Sequence, residues 1–184
     1  MKGIMFNVFE DFVVQNWGED FYEDILESST LATLDPFVAP GTYPDADLIA
    51  LVGTTVTKLG IPLRDALVAF GSFAFDGLVK TNPAFVDEHT DIRSFLATVD
   101  SIIHIEVRKL YPDAVTPTVL VEERAATGVQ LTYRSERKLC PVVEGLVTGA
   151  ARRFGLAANF SHPQCMNDGA AQCVFDIDFS PVEG

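Results

Sequence analysis

The chain is short of cysteine, of positive charge and of long apolar runs, and each shortage removes a class of protein. Three cysteines among 184 residues cannot all pair with one another, so disulfides are not expected and metal or redox chemistry is the first question they raise. Lys and Arg number 13 against 26 Asp and Glu, a net charge of −13. That balance disfavours nucleic acid and anionic membranes alike, and neither partner is expected. No apolar run approaches the length of a spanning helix, and the opening MKGIMFNVFEDF carries acids within its hydrophobic stretch, unlike a signal peptide. A cytoplasmic setting is the expectation. Internal repeats and low-complexity tracts are lacking too, which leaves out solenoids and disordered tails.

What the sequence holds is core. Hydrophobic residues make up 48% of it, enough for one substantial globular unit with two lobes. Ile4, Met5, Val8, Phe9, Phe12 and Val13 recur at helical spacing before Trp17 and Gly18, and a short helix over about 19–28 follows. A Pro and Gly connector, TLDPFVAPGTYPDA, leads to a helix from Asp45 to about Lys58. The next runs from Pro62, taken as its first helical residue, to about Val79, with Leu67, Phe70, Phe73 and Phe75 inward. A further helix starts after Thr90 and stops before Pro112, with Ile92, Leu96, Val99, Ile103 and Val107 as its stripe. Beyond Pro112 the period becomes two. Thr118–Glu122 and Val129–Arg137 read as a hairpin with its turn in ERAATG, and a helix spans Pro141 to Gly155. Two strand-like runs round a polar loop complete the chain, the second alternating Cys173, Phe175, Ile177 and Phe179. The expected fold class is α+β: a helical lobe over about 1–60 and a mixed lobe over about 61–184. That second lobe carries a βαβ-rich, small antiparallel sheet of three to five strands, with one cavity between the lobes.

Strand alternation puts Tyr133, Ser135 and Arg137 on one face, continuing the apolar face of Val129 and Leu131. Two hydroxyls and a guanidinium at every second residue make a donor comb about 14 Å long, suited to carboxylates at the mouth of an apolar pocket. On its own the pattern also describes an ordinary solvated face. The context is SIIHIEVRKLYPDA, 29 residues upstream, where His104 sits among Ile102, Ile103, Ile105 and Val107 in a helix read as mostly buried. A buried histidine, a donor comb and aromatic helices together suit an apolar planar cofactor with carboxylate edges, and haem fits that description.

These residues resemble the H-NOX (haem nitric oxide/oxygen binding) domains. The likeness lies in His104 of HxxVxxLYP, in YRSER as the family's YxSxR, and in the MKGIMFNVFEDF opening, and it covers essentially the whole chain. It implies a bacterial stand-alone sensor carrying haem b, with the haem between the lobes. His104 is then the proximal iron ligand, Tyr133, Ser135 and Arg137 bind the propionates, and Pro117 presses on the porphyrin. Asp100, four residues before the histidine, is placed to orient its ring.

By the family's register the distal wall comprises Met5, Phe9, Ala74, Leu78, Val142 and Leu146, all apolar. Val142 stands where oxygen-binding members place a tyrosine donor. Dioxygen depends on such a donor by on the order of a kcal/mol, NO and CO far less, so the resemblance implies NO sensing with exclusion of dioxygen. NO is expected to weaken or break the tie to His104 and free its helix. No catalytic residue set is required, and output is expected through a separate protein, a sensor histidine kinase or a cyclic-di-GMP enzyme.

Cys140, His162, Cys165 and Cys173 suggest a second centre. HPQC offers His-x2-Cys, Cys173 follows on a strand, and Cys140 precedes a helix. Three sulfurs and one imidazole suit tetrahedral zinc. Three unrelated cysteines beside an incidental histidine are the alternative. Two other functions stay open here: a zinc or thiol redox sensor built on these residues, and a haem protein that binds dioxygen.

Overall fold

The structure, a computed structural model, describes residues 1–124 and 128–182. The turn expected in ERAATG rests largely on residues outside that range. Phenylalanine spacing shapes the first helix, α1 (Gly3–Trp17), which turns Phe6, Phe9, Phe12 and Val13 inward on one stripe. It stops at Gly18, whose φ of 93° is left-handed territory open to glycine. Helices α2 (Glu19–Ser28) and α4 (Leu63–Thr81) pack on it, and α3 (Asp45–Leu59) packs on both of those. Pro62 is not its first helical residue. It caps the helix from outside with ψ of 136°, its carbonyl accepting the Ala66 amide at 3.2 Å. A one-turn helix, α5 (Ala84–Asp87), was not foreseen.

Asp91 opens the next helical run by accepting the Arg93 amide at 2.8 Å, as N-cap carboxylates do. That run is α6 (Ile92–Thr98), a π-turn over Val99–Ile103 and α7 (His104–Leu110). Strands β1 (Thr118–Arg124) and β2 (Gly128–Arg134) pair as a hairpin, helix α8 (Cys140–Arg153) crosses over, and β3 (Leu156–Gln164) and β4 (Cys173–Pro181) complete the sheet. A 3-10 turn over Met166–Asp168 lies between the last two strands. Neighbouring strands are antiparallel in the order β1-β2-β4-β3. β4 thus slots between β2 and β3, the two strands that α8 connects.

The expected strand from Val129 to Arg137 ends early, at Arg134. Ser135 stops it: its hydroxyl accepts the Arg137 amide at 3.2 Å and its carbonyl the Lys138 amide at 3.2 Å. Such local bonds compete with the ladder. Ser135 and Arg137 therefore sit on a turn beyond Tyr133, not on a common strand face with it.

Two hydrophobic clusters result. One joins Phe6, Phe9, Phe12, Ile25 and Leu51 to Phe70 and Val142. The other packs the inward faces of β2 and β4, Leu131, Phe175 and Ile177 among them, against α8 and α6. Helix α4 serves both, through Phe70 and Ala74 on one side and Phe75 on the other. Its contact with α8 is backbone to backbone. A Cβ at Gly145 would lie 2.1 Å from the Val68 carbonyl oxygen, and one at Gly71 2.3 Å from that of Val142. Only hydrogen fits at either place.

Candidate functional site

Between α4, α6, α7 and α8 lies an apolar cavity of about 210 Å³. Phe75, Leu78 and Val79 form its α4 wall, Val143, Leu146 and Val147 its α8 wall, and Leu96, Val99, Ile103 and His104 the wall opposite, with Pro117 and Val119 beside them. A larger cavity of about 340 Å³ lies among α1, α3 and α4, but its lining of Phe9, Phe12, Trp17, Phe70 and their neighbours holds no histidine or cysteine. The ligating chemistry belongs to the smaller one.

His104 opens α7 directly after the π-turn, its amide bonded to the Val99 carbonyl five residues back. Such a turn inserts a residue and rotates the downstream helix by about 100°. This overturns the expectation of a mostly buried helix. Among Val99–Leu110 no residue is fully buried, and Ile102 and Ile105 are 49% and 39% exposed. Val99 and Ile103 line the cavity and are only partly buried against the sheet-side cluster.

The imidazole is 15% exposed, and its Nδ1 lies 3.2 Å from Asp100 Oδ1. The same carboxylate oxygen accepts the Val119 amide at 3.3 Å, tying the histidine's helix to β1. With Asp100 taking the Nδ1 proton, the lone pair falls to Nε2. Burial holds the His104 pKa below its ordinary value, helped by Arg108 and opposed by Asp100 and the Pro117 carbonyl. A neutral imidazole is the form that binds metal.

Tyr133, Ser135 and Arg137 come together, though off the cavity's lining. Tyr133 is buried, and burial raises its pKa against hydrogen bonds from Ser135 and Leu139. Its hydroxyl accepts the Leu139 amide at 3.2 Å. Arg137 grips a carboxylate with its fork, Nε to Asp45 Oδ2 at 2.6 Å and Nη2 to Oδ1 at 3.2 Å, while Nη1 donates to the Val115 carbonyl at 2.7 Å. Asp45 also holds the N-terminal ammonium at 2.6 Å. Burial pushes the Asp45 carboxyl up, and the bonds from Arg137 and the ammonium outweigh it, leaving its pKa low. The fork thus holds the chain's own Asp45 carboxylate in bidentate fashion.

Of the six distal positions, Leu78 and Leu146 line the cavity and Met5, Phe9, Ala74 and Val142 do not. Those four pack in or against the helical cluster, where Phe9 meets Phe70 edge to face at 5.8 Å. Tyr22 is buried there too, and the Tyr43 hydroxyl accepts the Val38 amide at 2.8 Å; neither lines the cavity. The one polar lining residue besides His104 among the described residues is Asn82, which is solvent-exposed.

The second constellation assembles as expected. One ligand atom each of Cys140, His162, Cys165 and Cys173 lies within 4.8 Å of all the others. The Sγ atoms of Cys140 and Cys165 are 3.7 Å apart, close to the edge of roughly 3.8 Å in a tetrahedron with metal–sulfur bonds of about 2.3 Å. Amides already point at the sulfurs: Met166 N lies 3.2 Å from Cys173 Sγ, and Asn167 Nδ2 3.1 Å from Cys140 Sγ. Buried His162 Nε2 has no hydrogen-bond partner among the described residues. Burial pushes the Cys140 thiol up, with Cys165 and Cys173 adding to it, and burial raises Cys173 likewise. The donor set fits a cation better than it fits free thiolates.

A mostly buried imidazole at an apolar cavity, its Nδ1 on a carboxylate, is an arrangement that suits a haem-binding domain. Comparison with known proteins agrees. The Haem-NO-binding family model matches residues 2–162. An H-NOX protein from S. oneidensis in the Fe(II)NO ligation state superposes with a TM-score of 0.92 at 34% identity, covering 98% of this chain and 99% of that one. Unliganded Fe(II) H-NOX from K. algicida gives 0.88 at 28% identity, with 98% and 97% covered. The soluble guanylate cyclase gcy-35 of Caenorhabditis elegans is 26% identical over 158 residues; these are 84% of this chain and 23% of that protein, so the chain spans under a quarter of its relative. The chain belongs to the Haem-NO-binding, or H-NOX, family.

Sequence reasoning passed over Asp45, Asn82 and Glu144. Asp45 reads as an ordinary acid in a helix's first turn, and its partner Arg137 is 92 residues away.

Proposed function

We propose that this chain senses nitric oxide and excludes dioxygen, reading the gas at ferrous haem b on His104 and reporting a change of shape to a separate signalling protein. No reaction is assigned to it, and its setting is taken as the cytoplasm. The observation that carries the reading is the cavity wall facing His104: Phe75, Leu78, Val79, Val143, Leu146 and Val147 are all without a donor. Dioxygen gains about 1 kcal/mol or more from a donor at its site, and NO and CO gain far less. Bound haem supplies an iron that takes a diatomic gas. The chain's own residues do the rest. His104 offers its Nε2, Asp100 aims it, Pro117 closes the wall beside the histidine, and Arg137 with Tyr133 and Ser135 would exchange the partners they hold here for the acidic edges.

Output is assigned to the stretch that carries the histidine. Val99–Leu110 has no fully buried side chain, so its displacement costs little when the tie at His104 changes. The guanylate cyclase among the relatives supports a nucleotide-signalling or kinase partner, of which a sensor histidine kinase or a cyclic-di-GMP enzyme is the expected type. The test is an absorption spectrum of the reduced protein, alone, with NO and in air. A Soret band that moves with NO and is unmoved by air is expected. A lasting oxygenated spectrum would refute the selectivity.

We further propose that Cys140, His162, Cys165 and Cys173 hold zinc. The 3.7 Å sulfur pair and the unpartnered Nε2 favour this over a metal-free thiol sensor. Elemental analysis should find one zinc per chain and markedly less in Cys165→Ser. Equal content in both proteins would reject the site.

A further inference from the structure

Glu144 lies in the first turns of α8, is 6% exposed, and is used by neither gas binding nor the sulfur ligands. The other buried polar side chains among the described residues are explained locally. Asp47 takes bonds from Ala32 and Thr33, and Thr55 donates to the Leu51 carbonyl. The two oxygens of Glu144 are divided: Oε2 receives the Arg64 guanidinium, and Oε1 lies 3.5 Å from His162 Nδ1. His162 meanwhile stacks on Phe175 with ring centroids 3.9 Å apart, and its opposite nitrogen, Nε2, is the buried atom without a partner. One edge of the ring faces a carboxylate and the other faces three sulfurs.

We propose that Glu144 is a positioning residue for the metal centre. It takes the Nδ1 proton of His162, fixes the tautomer and ring orientation, and presents the Nε2 lone pair to the ion. The proposal rests on the zinc reading above. A carboxylate behind a metal-bound imidazole is a general way of orienting the ligand and raising its basicity. The charges suit it as well. Three thiolates and a divalent cation leave one negative charge, and Arg64, 60% exposed on α4, compensates that of Glu144 so that the buried carboxylate adds no uncompensated charge. Phe175 sets the plane of the ring and Glu144 its rotation within that plane.

The test measures zinc affinity of the full chain by competition with a chromogenic chelator, for wild type, Glu144→Ala and Glu144→Gln. Glu144→Ala should bind zinc on the order of 10- to 100-fold more weakly, and Glu144→Gln, which keeps an oxygen for the Nδ1 proton, should recover part of the loss. A second readout needs no variant: the ¹⁵N spectrum of the His162 ring in the zinc-loaded wild type should show Nδ1 protonated and Nε2 on the metal. Affinities within twofold of wild type in both variants, or a metal on Nδ1, would overturn the role of Glu144 while leaving the zinc site standing. A wild type that takes up no zinc would overturn both.

Discussion

Replacing Gly145 by alanine tests the α4–α8 contact with a sign that helix propensity alone gets wrong. Alanine is favoured over glycine inside a helix by about 1 kcal/mol, so an open position should gain. At Gly145 the added Cβ would stand 2.1 Å from the Val68 oxygen, 2.7 Å from the Ser72 nitrogen and 2.8 Å from the Gly71 Cα. Every one of these is a backbone atom, so no rotamer change relieves the clash, and α4 must retreat by about 1 Å to reach ordinary contact. Overpacking of this kind costs roughly 1–3 kcal/mol, and a backbone contact belongs at the upper end. The net loss is about 2 kcal/mol, which lowers Tm by roughly 4–8 °C in a chain of this size. Gly53→Ala on α3 is the control, since nothing lies within 4 Å of its Cβ; it should gain roughly 0.5–1 kcal/mol. Thermal and urea unfolding at matched haem and zinc loading would measure both. Stabilisation of Gly145→Ala comparable to that of Gly53→Ala would refute the backbone contact.

Asp47 links stability to pH. Burial pushes its carboxyl up, but the Thr33 hydroxyl and the Ala32 and Thr33 amides outweigh burial and leave the pKa lowered, so its contribution is present above the unfolded carboxyl range near pH 4 and is lost as pH falls through the folded value. Asp47→Asn, which cannot accept both amides as a carboxylate does, should cost about 1–3 kcal/mol at neutral pH, with the gap to wild type closing in acid unfolding curves below about pH 4. Arg137→Lys keeps the charge and loses the fork, so haem transfer to an apo-myoglobin acceptor should be several-fold faster, roughly 1 kcal/mol in retention. Free zinc at about 100 times its Kd should raise the stability of zinc-stripped protein by about 2.7 kcal/mol and leave Cys173→Ser largely unaffected in calorimetry.

Local spacing made the helices legible. Phe6, Phe9 and Phe12 repeat at three residues and β4 alternates at two, so neighbours in sequence are neighbours on a face. The four metal-site residues were legible by ligand type. What escaped depended on contacts that spacing does not carry. Nothing in VDSII distinguishes a π-turn from an α-turn, yet the turn decides which apolar residues near His104 face the cavity. Ser135 fits a strand by alternation and ends it by a bond to its own backbone neighbourhood. Asp45 and Glu144 find Arg137 and Arg64 across 92 and 80 residues. A linear register does not say which side of α4 and α8 faces this cavity: of the six distal positions Leu78 and Leu146 line it and four pack in or against the helical cluster. Val143 lines the cavity while the adjacent Val142 packs in the helical cluster.

The cavity is mechanically lopsided. On one side α4 and α8 meet backbone to backbone at Gly71 and Gly145, with Ala150 and Ala151 buried behind them and Cys140 and Glu144 tying the start of α8 to the cluster of Cys165, Cys173 and His162. A close-packed wall of this kind resists displacement. On the other side the histidine sits just after a π-turn in a stretch with no fully buried residue, joined to β1 by the Asp100 bond to the Val119 amide and by the partly buried Val99 and Ile103. In the proposed sensing, a change at His104 would be taken up in residues 99–110 rather than in α8, because α8 is held to α4 backbone to backbone and the stretch around the histidine is not.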